Sequence, residues 1–136
     1  MLVLKTIWYV SNKNSYILSI SFQAPYTKEE GTFGYNEICE MLADTQNSHE
    51  EPWKVVWDDF HKAPYMYKGD KWVSYDDQRS IRIKTNYAYK HNLAGVIVSA
   101  IDTDDFQGNC GGGKYPLLRT INKAFYVQEK ETINKK

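Results

Sequence analysis

Hydrophobic positions along the chain follow two different periods, and the switches between them mark its elements. Leu2 to Val10 and Tyr16 to Phe22 are β-prone runs. Ser11-Asn12-Lys13-Asn14 between them is turn material, so residues 1–22 read as a β-hairpin. Residues 23–34, punctuated by Pro25, Gly31 and Gly34, read as loop. Tyr35, Ile38, Cys39 and Leu42 then fall at i, i+3, i+4 and i+7, on one face of a short helix. Asp44 to Pro52 is polar and reads as loop.

Trp53 to Asp58 is a further short β-prone run. Ala63 to Tyr67 and Lys71 to Tyr75 flank Lys68-Gly69-Asp70, which signals a hairpin with glycine in a tight turn. Asp76 or Asp77 is placed to cap a helix by accepting a free N–H of its first turn, and that helix runs to Lys90 or His91. Ser80, Ile83 and Tyr87 mark one stripe of it, with Ile81 and Ala88 beside them. Asn92 and Gly95 stop it.

Gly95-Val96-Ile97-Val98-Ser99-Ala100-Ile101 is nearly continuous in β-branched residues rather than alternating. That pattern predicts a strand buried on both faces, as in a parallel sheet. Asp102-Thr103-Asp104-Asp105 follows its C-terminal end, then a Gly-rich loop from Gly108 to Gly113. A helix starts at Pro116 and carries Leu117, Leu118, Ile121 and Phe125; Glu129 to Lys136 reads as a frayed polar end. Helix, buried strand, acidic loop, helix is one slice of an α/β protein. A parallel strand needs neighbours, and only one such strand is legible. The chain therefore behaves as part of something larger. Its 136 residues are about half of the roughly 250 that a closed (β/α)8 barrel needs.

Charge and composition narrow the function. Lys+Arg and Asp+Glu are 17 each, so the chain lacks the basic excess of a nucleic-acid binder or a polybasic membrane anchor. No run of about 18 apolar residues can cross a membrane as a helix. Tyr, Trp and Phe together make 15% of the chain. An aromatic core with Tyr hydroxyls reaching water accounts for this first, and a surface that stacks on sugar rings second. Cys39 and Cys110 form one long-range staple in an oxidising compartment, or are small core residues in a reducing one. The N-terminus is apolar but short and lacks a small-residue cleavage site, so it does not read as a signal peptide.

Little in these residues points to a catalytic or metal centre. The acidic run Asp102-Thr103-Asp104-Asp105 sits where α/β proteins gather ligands, but it has no flanking His and no regular ligand spacing. It reads as loop and helix capping. Gly111-Gly112-Gly113-Lys114 fails the phosphate-loop pattern because Tyr115 follows the lysine. His49, His61 and His91 make no zinc spacing with either cysteine and read as exposed; no G-x-S-x-G elbow occurs.

Four motifs in order carry a family resemblance. Pro25-Tyr26-Thr27-Lys28-Glu29-Glu30-Gly31 leads into Tyr35-Asn36-Glu37-Ile38-Cys39, which resembles the Y-x-E-[IV]-C element of glycoside hydrolase family 18 chitinases. Trp72-Val73-Ser74-Tyr75-Asp76-Asp77 resembles that family's W-V-x-[YF]-D-D. Gly95 to Phe106 resembles the G-x-x-V-W-x-[IL]-D-x-D-D-F of its last barrel strand, with Cys110 and Tyr115-Pro116-Leu117-Leu118 in register. The resemblance covers about residues 23 to 127, and residues 1–22 stay unassigned. It implies an α/β fold, a partial (β/α)8 barrel. Residues 23–76 are then most of an α+β insertion that follows the seventh strand, and residues 77–136 the last helix, strand and helix with a tail.

The resemblance also implies a chemistry and a partner. The family binds and hydrolyses chitin and chito-oligosaccharides by substrate-assisted retaining catalysis, in which a Glu protonates the leaving oxygen. Its D-x-x-D-x-D-x-E motif is absent here; the nearest start, Asp102 with Asp105, fails because Gln107 occupies i+5. The resemblance therefore implies no catalytic residue, metal or cofactor in this chain, which is inactive alone, and its alternative is a lectin-like chito-oligosaccharide binder. Glu29, Thr32 and Ser99 match substrate-cleft positions. Ser99 stands where the family places a Trp under the sugar, and Thr32 where it often has Met. Cys39 and Cys110 match a family disulfide, which implies secretion. Unpaired strand edges predict self-association unless residues 1–22 supply a partner strand.

Overall fold

The computed structural model describes residues 2–5, 10–12, 24–28, 31–44 and 51–133. In chain order the elements are β1 (Leu2–Lys5), β2 (Val10–Asn12), α1 (Tyr35–Asp44), β3 (Lys54–Asp58), β4 (Ala63–Lys68), β5 (Lys71–Ser74), α2 (Gln78–Lys90), β6 (Val96–Ser99), a 3-10 turn (Ile101–Thr103) and α3 (Pro116–Ile133). The strands form two sheets. β1 and β6 pair in parallel, with Leu2 opposite Val96 and Lys5 opposite Ser99. The other four form an antiparallel sheet in the order β2-β5-β4-β3.

Each predicted element between Tyr35 and Lys90 is present, for local reasons. Gly69 and Asp70 turn β4 into β5, and Gly69 takes φ +58, where a Cβ would be strained. Asp77 caps α2: its carboxylate accepts the Ser80 N–H at 2.7 Å, and the Ser80 hydroxyl accepts the Asp77 N–H at 2.9 Å. Behind that cap the buried Asp76 carboxylate holds the Ser80 hydroxyl and the Lys84 ammonium.

Two apolar clusters share one residue. Ala24, Phe33, Ile38, Met66, Val73 and Tyr75 fill the space between α1 and the inner face of the antiparallel sheet. Ile81, Leu117 and Ile121 pack α2 against α3, with Val96 and Val98 of β6 laid over them. Tyr35 packs against both clusters, so the first residue of α1 joins the antiparallel sheet to the helix pair.

Four expectations are corrected. Ser11 and Asn12, read as turn, are strand, because the open edge of β5 offers ladder hydrogen bonds that no local signal announces. Leu2–Lys5 pairs with β6, so residues 1–22 do supply it with a partner strand; the hairpin's second run, Tyr16 to Phe22, lies outside the described residues. In α2 the inward residues are Ser80, Ile81, Thr85 and Ala88, while Ile83 and Tyr87 are exposed. β6 is not covered on both faces, since the helix pair covers one and Ile97 remains 41% exposed. Finally, α3 runs to Ile133 instead of fraying at Glu129, because no Gly or Pro interrupts the segment.

Candidate functional site

The predicted cleft positions lie around the C-terminal end of β6, and carboxylates hold that end in shape. The Ser99–Ala100 peptide is cis. The Thr103 hydroxyl donates to the Ala100 carbonyl at 2.7 Å and closes the 3-10 turn. Asp104 is buried and accepts the free N–H groups of Leu117 at 3.3 Å and Leu118 at 3.0 Å, at the start of α3. Asp105, fully buried, accepts the N–H groups of Gly108, Asn109 and Cys110 at 2.8 to 3.0 Å. Both therefore cap backbone, as their lack of ligand spacing predicts. Asp102 differs, being exposed to solvent.

Another buried carboxylate shapes the opposite wall. Glu37, in the first turn of α1, reaches back into the loop before its own helix. One oxygen accepts the N–H groups of Tyr26 at 2.7 Å and Thr27 at 3.0 Å. The other accepts the Gly34 N–H at 2.6 Å and faces the Thr27 hydroxyl at 3.0 Å. The loop passes close to the turn after β6 and leaves little room for a side chain at Gly34. A Cβ on Gly34 would sit 2.4 Å from Asn36 Oδ1 and 3.3 Å from the Thr103 carbonyl oxygen.

Between the two walls lies an open groove of about 450 Å3. Thr32 and Asn36 line one side; Ser99, Asp102 and Thr103 line the other. Tyr26 and Phe106 close one end with their rings edge to face, centroids 6.1 Å apart. Tyr26 remains 48% exposed, so part of its ring is open to a ligand. The lining combines an aromatic surface with hydroxyl, amide and carboxylate groups, the set that recognises a sugar by stacking and hydrogen bonding.

Thr32 and Ser99, distant in the sequence, therefore meet at one groove. Glu29 lies outside the described residues. Cys39 and Cys110 are disulfide-bonded, with Cα atoms 5.3 Å apart, and tie α1 to the loop after β6 just behind the groove. The sequence reading missed Tyr26, Asn36 and Phe106 as lining residues and Glu37 as the residue that shapes the wall. All four lie inside the motifs that carried the family resemblance, but no spacing argument gave them a role. Tyr35 sits beside this framework. Burial, and then the carboxylates of Asp77, Asp104 and Asp105, push its phenol up to about 12.

Comparison with known proteins converges on one group. The family model for glycosyl hydrolases family 18 matches residues 2–104. The match thus includes the N-terminal segment that the sequence reading left unassigned. The endochitinase of Manduca sexta is 42% identical over 100 residues, which are 74% of this chain and 17% of that protein. Among solved structures, the Group IV chitinase of Ostrinia furnacalis in complex with allosamidin superposes with a TM-score of 0.78 at 33% identity, over 92% of this chain and 34% of the other. Human YKL-39, described as a pseudo-chitinase with retained chitooligosaccharide binding properties, gives 0.77 at 27% identity, over 92% and 34%. The chain thus spans about a third of these solved chains, and the fold is part of their (β/α)8 barrel.

Proposed function

The chain belongs to glycosyl hydrolases family 18, and from that membership we propose that the groove at the end of β6 is one wall of a chito-oligosaccharide cleft that this chain does not itself catalyse in. The observation that carries the reading is the convergence of Thr32 and Ser99 with the Tyr26–Phe106 pair on one groove. In this role β1 takes the place of the barrel strand preceding the insertion. The loop, α1 and the antiparallel sheet form the insertion, and α2, β6 and α3 are the closing helix, strand and helix. Thr32, Asn36 and Asp102 hydrogen-bond sugar hydroxyl and N-acetyl groups, and the Tyr26 ring stacks on a sugar face. Glu29, which matches a family cleft position in the sequence, is a further candidate for sugar contact.

The chain carries no D-x-x-D-x-D-x-E motif, so no residue of it is assigned as proton donor. Ser99 favours the lectin-like reading over a hydrolytic one, because a serine removes the aromatic floor and with it about 1–3 kcal/mol of stacking, taking base stacking as the measure. The disulfide supports an extracellular or secretory location. Calorimetric titration with chitotetraose and chitohexaose tests the reading. Wild type is expected to bind weakly, Tyr26→Ala to lose at least fivefold in affinity, and neither to release product from a fluorogenic chitobioside. Unchanged binding by Tyr26→Ala, or turnover that survives repurification, would overturn it.

A further inference from the structure

A second recess lies on the helix pair, lined by none of the residues of the β6 groove. Gln78, Arg82 and Asn86 stand at i, i+4 and i+8 along one stripe of α2. Facing them, Arg119, Thr120 and Lys123 lie along α3. Two shallow recesses of about 390 and 240 Å3 run between the helices and share Arg82, Thr120 and Lys123, so they form one continuous groove. No carboxylate lines it among the described residues. α2 itself carries Arg79, Arg82, Lys84 and Lys90 and no acid. Two of these are engaged: Arg79 stacks on the Trp57 ring at 3.7 Å and Lys84 pairs with Asp76. Arg82 and Lys123 form no ion pair with any described residue, and among the described residues the Arg119 guanidinium donates to the Gly112 carbonyl at 3.2 Å and pairs with no carboxylate. A chain of zero net charge thus concentrates unneutralised cations on one groove.

We infer that this groove binds a sulfated polysaccharide. The charge requires an anion, and two arginines supply planar forks that match sulfate oxygens. The remaining lining distinguishes among anions. The side-chain amides of Gln78, Asn86 and Asn122 are groups that bond sugar hydroxyls. Pro116, Ala124 and Val127 are its apolar residues, and no aromatic ring among the described residues lines it, so the groove lacks a platform for nucleic-acid bases. It also lacks the deep apolar pocket that anchors an acidic peptide. An elongated, polar, cationic groove suits an extended glycan that presents sulfates at regular intervals.

The test is affinity of the folded chain for a heparin-derived octasaccharide across a salt series. Binding is expected to weaken steadily as salt rises. The triple variant Arg82→Ala/Arg119→Ala/Lys123→Ala is expected to lose at least tenfold in affinity. Lys54→Ala/Lys62→Ala/Lys68→Ala changes the net charge equally on the antiparallel sheet and is expected to change affinity less than twofold. Arg82→Lys/Arg119→Lys keeps the charge but removes the forks, and is expected to lose about threefold even if the alanine variant fails to fold. Chitotetraose titration of the groove variants is expected to match wild type. Equal loss in the groove and control variants would overturn the inference. So would wild-type-like binding by the lysine variant, or equal affinity for a desulfated octasaccharide, a single-stranded oligonucleotide or polyglutamate.

Discussion

Replacing Glu37 by Gln is the sharpest perturbation of the framework behind the β6 groove. The side chain keeps its size and loses its charge and one acceptor atom. One oxygen of Glu37 takes the N–H groups of Tyr26 and Thr27, and the other takes the Gly34 N–H at 2.6 Å. In the Glu37→Gln variant the new amide nitrogen must face one of these sites, donor against donor. With the oxygen kept toward Tyr26 and Thr27, the Gly34 N–H loses its acceptor in a site that is 2% exposed. Losing a hydrogen bond to a charged group costs about 1.5–3 kcal/mol, and the two bonds that remain each weaken by about 1 kcal/mol on becoming neutral. The sum is about 3.5–5 kcal/mol, a large part of the stability of an ordinary domain. At about 2.1 cal/mol/K per residue this lowers Tm by roughly 12–17 °C. Urea unfolding followed by circular dichroism reads the cost, with an unchanged slope expected. The 24–34 loop carries Tyr26 and Thr32, so chitotetraose affinity should fall with stability. A cost below about 1 kcal/mol with intact binding would refute the role given to Glu37.

Three further outcomes follow from the same structure. Reducing Cys39–Cys110, which closes a sequence separation of 71, should cost about 4 kcal/mol by loop entropy; equal urea midpoints for oxidised and reduced protein would contradict this. Tyr35 ionises in the unfolded chain near pH 10 and in the folded protein at about 12. Its contribution is therefore complete below pH 10 and lost as pH rises from 10 to 12; Tyr35→Phe should flatten that part of the stability profile, and an unchanged slope would count against the assignment. β6 has one strand neighbour among the described residues, and Ile97 and Ile101 are exposed beside it. β1 covers one edge of β6, so association is expected only through the other edge and weakly: monomer in the low micromolar range with association as concentration rises in light scattering, and a monomer at all concentrations would sink the idea.

Local signals made most of the elements between Tyr35 and Ile133 legible. The apolar spacing at Tyr35, Ile38, Cys39 and Leu42, the glycine turn at Gly69 and the cap at Asp77 each act within a few residues. Residues 1–22 were legible as a candidate partner for β6, but the parallel register that Leu2–Lys5 takes was not, because local propensity reports only that both segments are strands. The reading of Ile83 and Tyr87 as part of the α2 stripe failed for a related reason. Both are apolar enough to suggest a core, yet packing buries Ile81, against α3, and Ala88 instead. At the site, the capping role of Asp104 and Asp105 was readable from the absence of a flanking His and of ligand spacing. Glu37 was not, since a carboxylate in a first helical turn ordinarily faces solvent. Only the packed loop shows that it gathers the Tyr26, Thr27 and Gly34 amides.

If the end of β6 and the loop before α1 together recognise a chito-oligosaccharide, backbone amide chemical-shift mapping during titration with chitotetraose will show it. Perturbations are expected to concentrate at Tyr26, Thr32, Asn36, Ser99, Asp102 and Thr103, with the amides of Arg82 and Lys123 unmoved. No saturable shifts at millimolar sugar, or shifts centred on the α2–α3 groove, would contradict it.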